Sequence, residues 1–315
     1  MGATGTGKSK LSIDLATRFQ AEIINSDKIQ VYKGLDVVTN KVTDAEQQGV
    51  PHHILGDVDP EADFTADEFC RRALSSVESI IQSGKLPIIV GGSNTYIETL
   101  VDADKYKFRS KYESCFIWVD VSLPVHHSFV AQRVDRMVES GLVDEIRKIF
   151  VHDADYSRGI RRAIGVPEMD QYLRTELLVE EDDQDSREKM LKAAINEIKE
   201  NTCKLTCSQL EKIDRLRNEV GWEMHRIDAT EVFEKFGQEA DDAWKKVVAD
   251  PSIAIVREFL GEEEEEAAAT VVTTLAANAI DSVEVEDEAA SVAAAAAANP
   301  IVSFLDQLKK TQIVV

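Results

Sequence analysis

Three short apolar runs mark the first half of the chain: AEIINSD at 21–27, LPIIVGG at 86–92 and CFIWVDVSLP at 115–124. Their apolar residues are continuous rather than alternating, which is typical of parallel strands buried on both faces. Polar residues or glycines close the first two runs. Ligands of α/β proteins bind at the carboxyl ends of such strands, so the residues there are well placed for chemistry.

Helical patterns separate the predicted strands. Apolar residues recur every three to four positions in KLSIDLATRF (10–19) and again in residues 64–83. Thr65 is a suitable N-cap for the second helix, Glu68 completes a capping box, and Gly84 ends the helix.

Longer helical patterns follow at 125–150 and 186–217. Strands that alternate with helices predict a doubly wound α/β fold, with a parallel sheet and a helical subdomain. We expect an α/β core at 1–150 and a helical portion at 151–260 that completes the active-site cleft. The acidic, Ala/Glu-rich tail at 261–315 is expected to be disordered.

The composition narrows the choice of partners. The chain carries 58 acidic residues against 36 Lys and Arg, and its net charge is −22. A protein that grips a long polyanion usually has a basic surface, so the charge disfavours nucleic acid as a substrate. No apolar run approaches the ~18 residues of a membrane span, so we expect no membrane partner.

Residues 2–9 match the phosphate-binding pattern G-x-x-x-x-G-K-[ST] at every defined position, and a predicted helix follows them. In such a loop, backbone amides and the helix N-terminus hold phosphate oxygens, a lysine adds positive charge, and a serine reaches Mg²⁺. Ser9 is therefore the candidate metal ligand. The predicted phosphate-binding residues are Gly2, Ala3, Thr4, Gly5, Thr6, Gly7, Lys8 and Ser9.

A loop of this kind normally follows a buried strand, but only Met1 precedes Gly2. We therefore expect the first strand of this P-loop fold to be missing and the natural chain to be longer. A lost strand of about six residues would remove several buried side chains worth ~1.5–3 kcal/mol each, from a stability of ~5–15 kcal/mol. An inactive truncated fragment is thus one alternative.

The loop indicates phosphate but does not name the reaction. Its usual companion is an acid at the end of another strand, close to the metal. Asp27, in the segment NSDKIQVYKGLDVVTNK (25–41), is the candidate. From its position alone it could be a metal-side acid, a general base or a helix cap.

That segment, together with several other blocks, closely resembles the isopentenyltransferase family, and in particular its plant branch that acts on adenylates and makes cytokinins. The similarity covers roughly residues 1–260 in order. The other blocks are GATGTGKS (2–9), VPHHILG (50–56), FTADEF (64–69), PIIVGGSNTYI (87–97), RVDRMVESGLVDEI (133–146) and GIRRAIGVPE (159–168).

The resemblance implies transfer of a dimethylallyl group from dimethylallyl diphosphate to N6 of adenine, with Mg²⁺ as cofactor. The loop then holds the diphosphate leaving group. Asp27 falls on the general-base position, while Thr4, Lys8 and Arg162 fall on positions that contact the diphosphate. The register of R-A-I-G (162–165) favours Arg162 over Arg161.

The resemblance also implies an acceptor pocket for a free nucleotide, with ADP or ATP preferred over AMP. Its expected residues are Asn40, Lys41, Ser93, Asn94 and Tyr96. Lys199 and Lys204 are further candidates for contacts with the extra phosphates, although each is more often a surface lysine.

Two other enzyme classes remain as alternatives. A tRNA dimethylallyltransferase is disfavoured because only VDADKYKFRSKYESCFIW (101–118) is available where the tRNA-modifying branch carries a helical insertion. A small-molecule kinase would use the same loop, but the 25–41 block argues against it. We expect a monomer located in the plastid, as in the resembling proteins, with the cytoplasm as the alternative.

Overall fold

Six parallel strands form one sheet within residues 1–178, 184–261 and 311–315, which the computed structural model describes. The strand order across the sheet is β2-β1-β3-β6-β4-β5, and every neighbouring pair is parallel. The strands are β1 (Ala21–Asn25), β2 (His52–His53), β3 (Leu86–Val90), β4 (Tyr112–Asp120), β5 (Met224–Asp228) and β6 (Thr311–Val314).

Helices cover the two faces of this sheet. Short 3₁₀ segments at Asp104–Tyr106 and Gly159–Arg162, and a π-helical turn at Lys245–Ala249, lie between them. The helices are α1 (Lys8–Phe19), α2 (Asp44–Gln47), α3 (Ala66–Gln82), α4 (Asn94–Asp102), α5 (Phe108–Lys111), α6 (Leu123–Glu139), α7 (Leu142–Ile149), α8 (Asp170–Leu178), α9 (Gln184–Asn218), α10 (Thr230–Phe233), α11 (Gly237–Trp244) and α12 (Asp250–Leu260).

The continuous apolar pattern of the strands is explained by this two-sided cover. Successive strand side chains point to opposite faces, so Ile23 joins the core on one side of the sheet and Ile24 the core on the other. Both are fully buried. The predicted doubly wound α/β fold is confirmed.

Local signals in the sequence are confirmed with small differences. Thr65 caps α3 by accepting a hydrogen bond from the Glu68 N–H (3.2 Å). The predicted capping box is not completed, because the Glu68 carboxylate contacts Arg71 and not the Thr65 N–H. The helical pattern at 125–150 is divided into α6 and α7 at Gly141.

The strand expected before the phosphate loop is absent there, but its place in the sheet is occupied. β6 lies between β3 and β4, where a strand leading into the loop would lie. β6 therefore pairs with both neighbouring strands at this place in the sheet. The last five residues of the tail, expected to be disordered, are ordered and include this strand. The rest of the tail, 262–310, lies outside the described residues.

The range 151–260 is mostly helical, but it also contributes β5, which extends the core sheet beyond β4. None of the described helices is both long and apolar enough to cross a membrane.

Two side chains from distant helices fix the phosphate loop through Thr4. Gln209 of α9 accepts a hydrogen bond from the Thr4 N–H (2.7 Å) and donates one to the Gly92 carbonyl (2.9 Å). His126 of α6 contacts the Thr4 carbonyl through Nε2 (2.8 Å). The loop is thus tied to the end of β3 and to two long helices.

We predict that Gln209→Ala lowers the free energy of unfolding by about 1–2 kcal/mol, because two partly buried backbone groups lose their partner. Urea denaturation measures the change. Gln238→Ala, on the exposed surface of α11, is the matched control and should cost less than about 0.5 kcal/mol. Equal effects of the two variants would contradict this role for Gln209.

We predict that His126 makes stability fall as the pH drops from 7 to 5. Its Nε2 faces a carbonyl, so it carries the proton. Nδ1 is buried and has no partner among the described residues. Burial lowers the pKa of His126 below the usual 6.5. The unfolded chain therefore binds a proton first, and folding loses free energy below pH 6.5.

His126→Gln keeps a donor for the Thr4 carbonyl but cannot titrate. The stability advantage of the wild-type chain over this variant should shrink between pH 7 and 5, as measured by urea unfolding. His225→Gln, at an exposed position of β5, is the matched control. An advantage for His126 that does not depend on pH would refute the prediction.

Candidate active site

The phosphate loop has the shape that its glycines allow. Gly2 has φ +147° and presses against β4, where a Cβ would lie 2.5 Å from the Val119 carbonyl. Gly7 has φ +89° and caps α1, where a Cβ would lie 2.6 Å from Trp244. No other residue type fits either place without a shift. The loop is therefore pressed against the sheet at one end and under Trp244 at the other.

Lys8 is half-buried inside the loop and donates to the Ala3 carbonyl. Burial lowers the pKa of Lys8 to about 8, while the charge of Asp27 opposes this shift. A half-buried ammonium group beside main-chain amides at the start of a helix is a binding site for an anion.

Arg133 supplies a second half-buried cation that sequence reasoning did not single out. Its Nη2 donates to Oγ1 of Thr4 (3.1 Å). Burial lowers the pKa of Arg133 to about 10, with Arg136 adding to the shift and Asp27 opposing it. The only signal in the sequence was its place at the head of the block 133–146.

Asp27 follows β1 and faces these cations. Its Oδ1 accepts hydrogen bonds from the N–H groups of Ile29 (2.9 Å) and Gln30 (3.3 Å), which hold the carboxylate in one orientation. No donor contacts Oδ2 in the described part of the chain. This oxygen can accept a proton from a bound substrate.

Arg162 contacts the Tyr32 hydroxyl beside Tyr96, and Arg161 is engaged elsewhere. Arg162 donates to the Tyr32 hydroxyl (3.0 Å). Burial raises the pKa of Tyr96, the charge of Arg162 lowers it, and that of Asp27 raises it, so the three groups are neighbours. Arg161 instead donates to the Ile149 carbonyl (2.7 Å) and to Glu61 (2.9 Å). These contacts support the choice of Arg162.

A cavity of about 630 Å³ adjoins the loop and includes two of the predicted nucleotide residues, Asn40 and Lys41, together with Ser9 and Arg133. The Lys41 side chain is only 7% exposed. Its ammonium group bonds to Asp36 (2.9 Å) and to other groups of the 34–39 segment. Lys41 therefore stabilises the wall of the cavity.

Glu145 of α7 holds the same wall. Its carboxylate accepts hydrogen bonds from the N–H groups of Val37 (3.2 Å) and Val38 (2.8 Å). No local sequence pattern indicated Glu145, because its contacts join residues more than one hundred positions apart.

The residues after β3 have more structural roles than the sequence indicated. Ser93 accepts a hydrogen bond from the Lys28 N–H (2.9 Å), which ties this segment to the residue after Asp27. Asn94 donates to the Gln209 carbonyl (3.1 Å), while its Oδ1 is buried without a partner among the described residues. Tyr96 donates to the Phe64 carbonyl (2.9 Å) and stacks on Phe69.

Lys199 and Lys204 do not line this cavity. Lys199 forms an ion pair with Asp135 of α6 (2.6 Å). Lys204 is exposed and donates to Asn201 (3.2 Å). The structure therefore pairs each lysine with another side chain and places neither on the wall of this cavity.

The residues around the loop suit a magnesium ion that is bound together with a diphosphate. Ser9 contributes a hard oxygen and lines the cavity. The described residues hold no cluster of three or more His, Cys, Asp or Glu that could bind a metal alone. Mg²⁺ commonly takes few protein ligands and completes its shell with phosphate oxygens and water.

The fold is similar to that of two solved enzymes that modify tRNA. A eukaryotic dimethylallyltransferase acting on tRNA aligns with a TM-score of 0.69 and 23% identity, over 83% of this chain and 78% of that one. A tRNA isopentenylpyrophosphate transferase from Bacillus halodurans aligns with a TM-score of 0.63 and 25% identity, over 85% and 96%.

Similarity in sequence is higher to plant proteins. Adenylate isopentenyltransferase 5, chloroplastic, of Arabidopsis thaliana is 61% identical over 82% of this chain and 78% of its own length. Adenylate isopentenyltransferase 7, mitochondrial, of the same plant is 54% identical over 88% and 84%. A family model described as IPP transferase matches residues 30–108 and 102–215. The family model spans more than half of the chain, and these two plant relatives are more than half identical to it. The chain therefore belongs to the IPP transferase family.

Proposed function

We propose that this enzyme transfers a dimethylallyl group from dimethylallyl diphosphate to N6 of a free adenine nucleotide, with ADP or ATP preferred over AMP. This is the first step of cytokinin biosynthesis. The observation that carries the proposal is the Asp27 carboxylate, which the Ile29 and Gln30 N–H groups orient and whose charge acts on the half-buried cations Lys8 and Arg133 at the phosphate loop. The identity to plant adenylate isopentenyltransferases supports the choice of acceptor.

The chemistry needs a proton acceptor and a site for a departing anion. The lone pair of N6 is delocalised into the adenine ring, so the amine must be oriented and must lose its proton as it attacks. In the reaction the bond from N6 to the allylic carbon forms and the bond from that carbon to the diphosphate oxygen breaks. The proton passes to the Asp27 carboxylate, and pyrophosphate leaves.

The negative charge that develops on the diphosphate is stabilised by the loop amides, Lys8 and Arg162. Thr4 offers its hydroxyl, which Arg133 holds in place. When bound through Ser9, Mg²⁺ supplies further positive charge at the diphosphate. Holding N6 in line with the allylic carbon accounts for much of the remaining acceleration.

The connection after β3 supports a free nucleotide over tRNA. Only residues 103–111 join α4 to β4, and they form two short helical turns. This is the place where the resemblance predicts an inserted helical domain in tRNA-modifying enzymes. We also propose a plastid location, in line with the chloroplastic relatives, and a monomeric state.

The proposal is tested by incubating the purified chain with Mg²⁺, dimethylallyl diphosphate and AMP, ADP, ATP or a tRNA anticodon stem-loop in parallel. Mass spectrometry detects the added prenyl group and any ADP formed from ATP by a kinase, and release of inorganic phosphate reports ATPase activity. We expect prenylated ADP and ATP, less prenylated AMP and no prenylated RNA. Prenylation of the RNA alone, or phosphate release without prenylation, would overturn the proposal.

We predict that Asp27→Asn lowers kcat by about 10²–10⁴ because the proton acceptor is lost. The amide oxygen can still accept the Ile29 N–H bond, so the fold is retained. Asp155→Asn is the matched control: Asp155 accepts from the Ser157 N–H in the same two-residue turn (2.9 Å) but is exposed. Its kcat should be unchanged. Normal turnover by the Asp27 variant would exclude Asp27 as the base.

A further inference from the structure

The strand that leads towards the phosphate loop comes from the opposite end of the chain. β6 pairs with β4 through four registered positions, from Tyr112–Thr311 to Cys115–Val314. On its other edge it pairs with β3 at Ile88–Val314. Residues 262–310 connect it to α12, and at ~3.3 Å per residue this length of chain is ample.

Met1 continues the line of β6 along the edge of β4. The Ile117 N–H donates to the Val315 carbonyl, and two residues later the Val119 N–H donates to the Met1 carbonyl, both at 3.0 Å. The Met1 amino group donates to the Ile117 carbonyl (2.6 Å). Because alternate residues bond to one edge of a parallel strand, Met1 occupies the position two residues beyond Val315.

β6 is a core strand. Ile313 and Val315 pack on one face of the sheet and Val314 on the other. All three are at most 3% exposed. The Gln312 side chain donates to the Phe259 carbonyl of α12. These contacts fill the interior between β3 and β4.

The same edge of β4 sets the position of the phosphate loop. Gly2, next to Met1, packs on the Val119 carbonyl. Lys8 reaches back to Ala3. A shift of Met1 along β4 would therefore move both the loop amides and the ammonium group that binds the diphosphate.

We propose that Thr311–Val315 is the positioning strand of the phosphate loop, because it fills the place between β3 and β4 along the line that Met1 continues. β6 keeps β3 and β4 at the spacing that Met1 and Gly2 require. The consequence for diphosphate affinity rests on the proposed function of the loop, whereas the strand pairing does not.

A disulfide tests the pairing directly. Val314 and Cys115 are registered partners and lie in the same core. Adjacent strands are ~4.8 Å apart, within the Cα separation of a disulfide. Val314→Cys, refolded under mild oxidation, should link to Cys115 in peptide maps. Ile313→Cys, which faces the other core, should not. The absence of the first link, or equal linking of both variants, would overturn the pairing.

The role of β6 in positioning is tested by deletion and relocation. Deleting 311–315 should raise the Kd of inorganic pyrophosphate with Mg²⁺ at least ~10-fold, comparable to the loss of one charge-assisted hydrogen bond. A second variant carries TQIVV and one additional valine before Met1, in the chain that lacks 311–315. This variant should restore the affinity, because it supplies the same strand from a segment placed before Met1.

Pyrophosphate binding is measured by calorimetry and folding by circular dichroism. Unchanged affinity in the deletion variant would overturn the proposal, as would a folded relocated variant that binds no better than the deletion. If the deletion variant does not fold, the pyrophosphate affinity of the relocated variant and the formation of the disulfide test the proposal. A chain with the disulfide and pyrophosphate affinity but no prenyl product would refute the proposed function and leave this inference intact.

Discussion

The edge of β4 that carries Val119 is the constraint on which the active site depends. Its N–H holds Met1, and its carbonyl leaves space only for the hydrogen of Gly2. From there the loop turns into α1, and Lys8 reaches back over it. A buried central strand is among the most rigid parts of an α/β protein. The sheet therefore holds the loop in a fixed position.

The second organising feature is an excess of half-buried positive charge around one carboxylate. Lys8 and Arg133 both lose part of their basicity through burial, and the charge of Asp27 opposes this loss in each case. Cations held in this way are costly unless an anion pairs with them. In the proposed reaction a diphosphate supplies that anion, and its departure is the step in which the cations contribute most.

Much of the fold could be predicted from the sequence because its signals are local. The runs at 86–90 and 115–120 form β3 and part of β4, and α1 follows the loop as predicted. β5 was missed because it is a half-exposed strand with polar residues, MHRID, and it has no continuous apolar run. β6 could not be predicted, since the order of segments along a chain does not reveal which strand lies beside which.

The active-site residues also divide into those that a local sequence pattern indicates and those that only tertiary contacts bring together. Asp27 and Arg162 follow recognisable motifs, and the structure places them as neighbours of Tyr96. Gln209, His126 and Arg133 hold Thr4 from two helices more than one hundred residues away. Their role depends on tertiary contacts that leave no mark in the local pattern. Lys199 matches the expected type of residue, but its ammonium group pairs with Asp135 instead.

Amide hydrogen exchange along β4 is the most direct measurement of the central constraint. The N–H groups of Ile117 and Val119 face Val315 and Met1, whereas alternate amides of the same strand face β5 and provide an internal reference. The structure predicts that Ile117 and Val119 exchange only through global unfolding, as slowly as the reference amides. Fast exchange at these two positions, with the amides facing β5 still protected, would show that neither β6 nor Met1 pairs with β4.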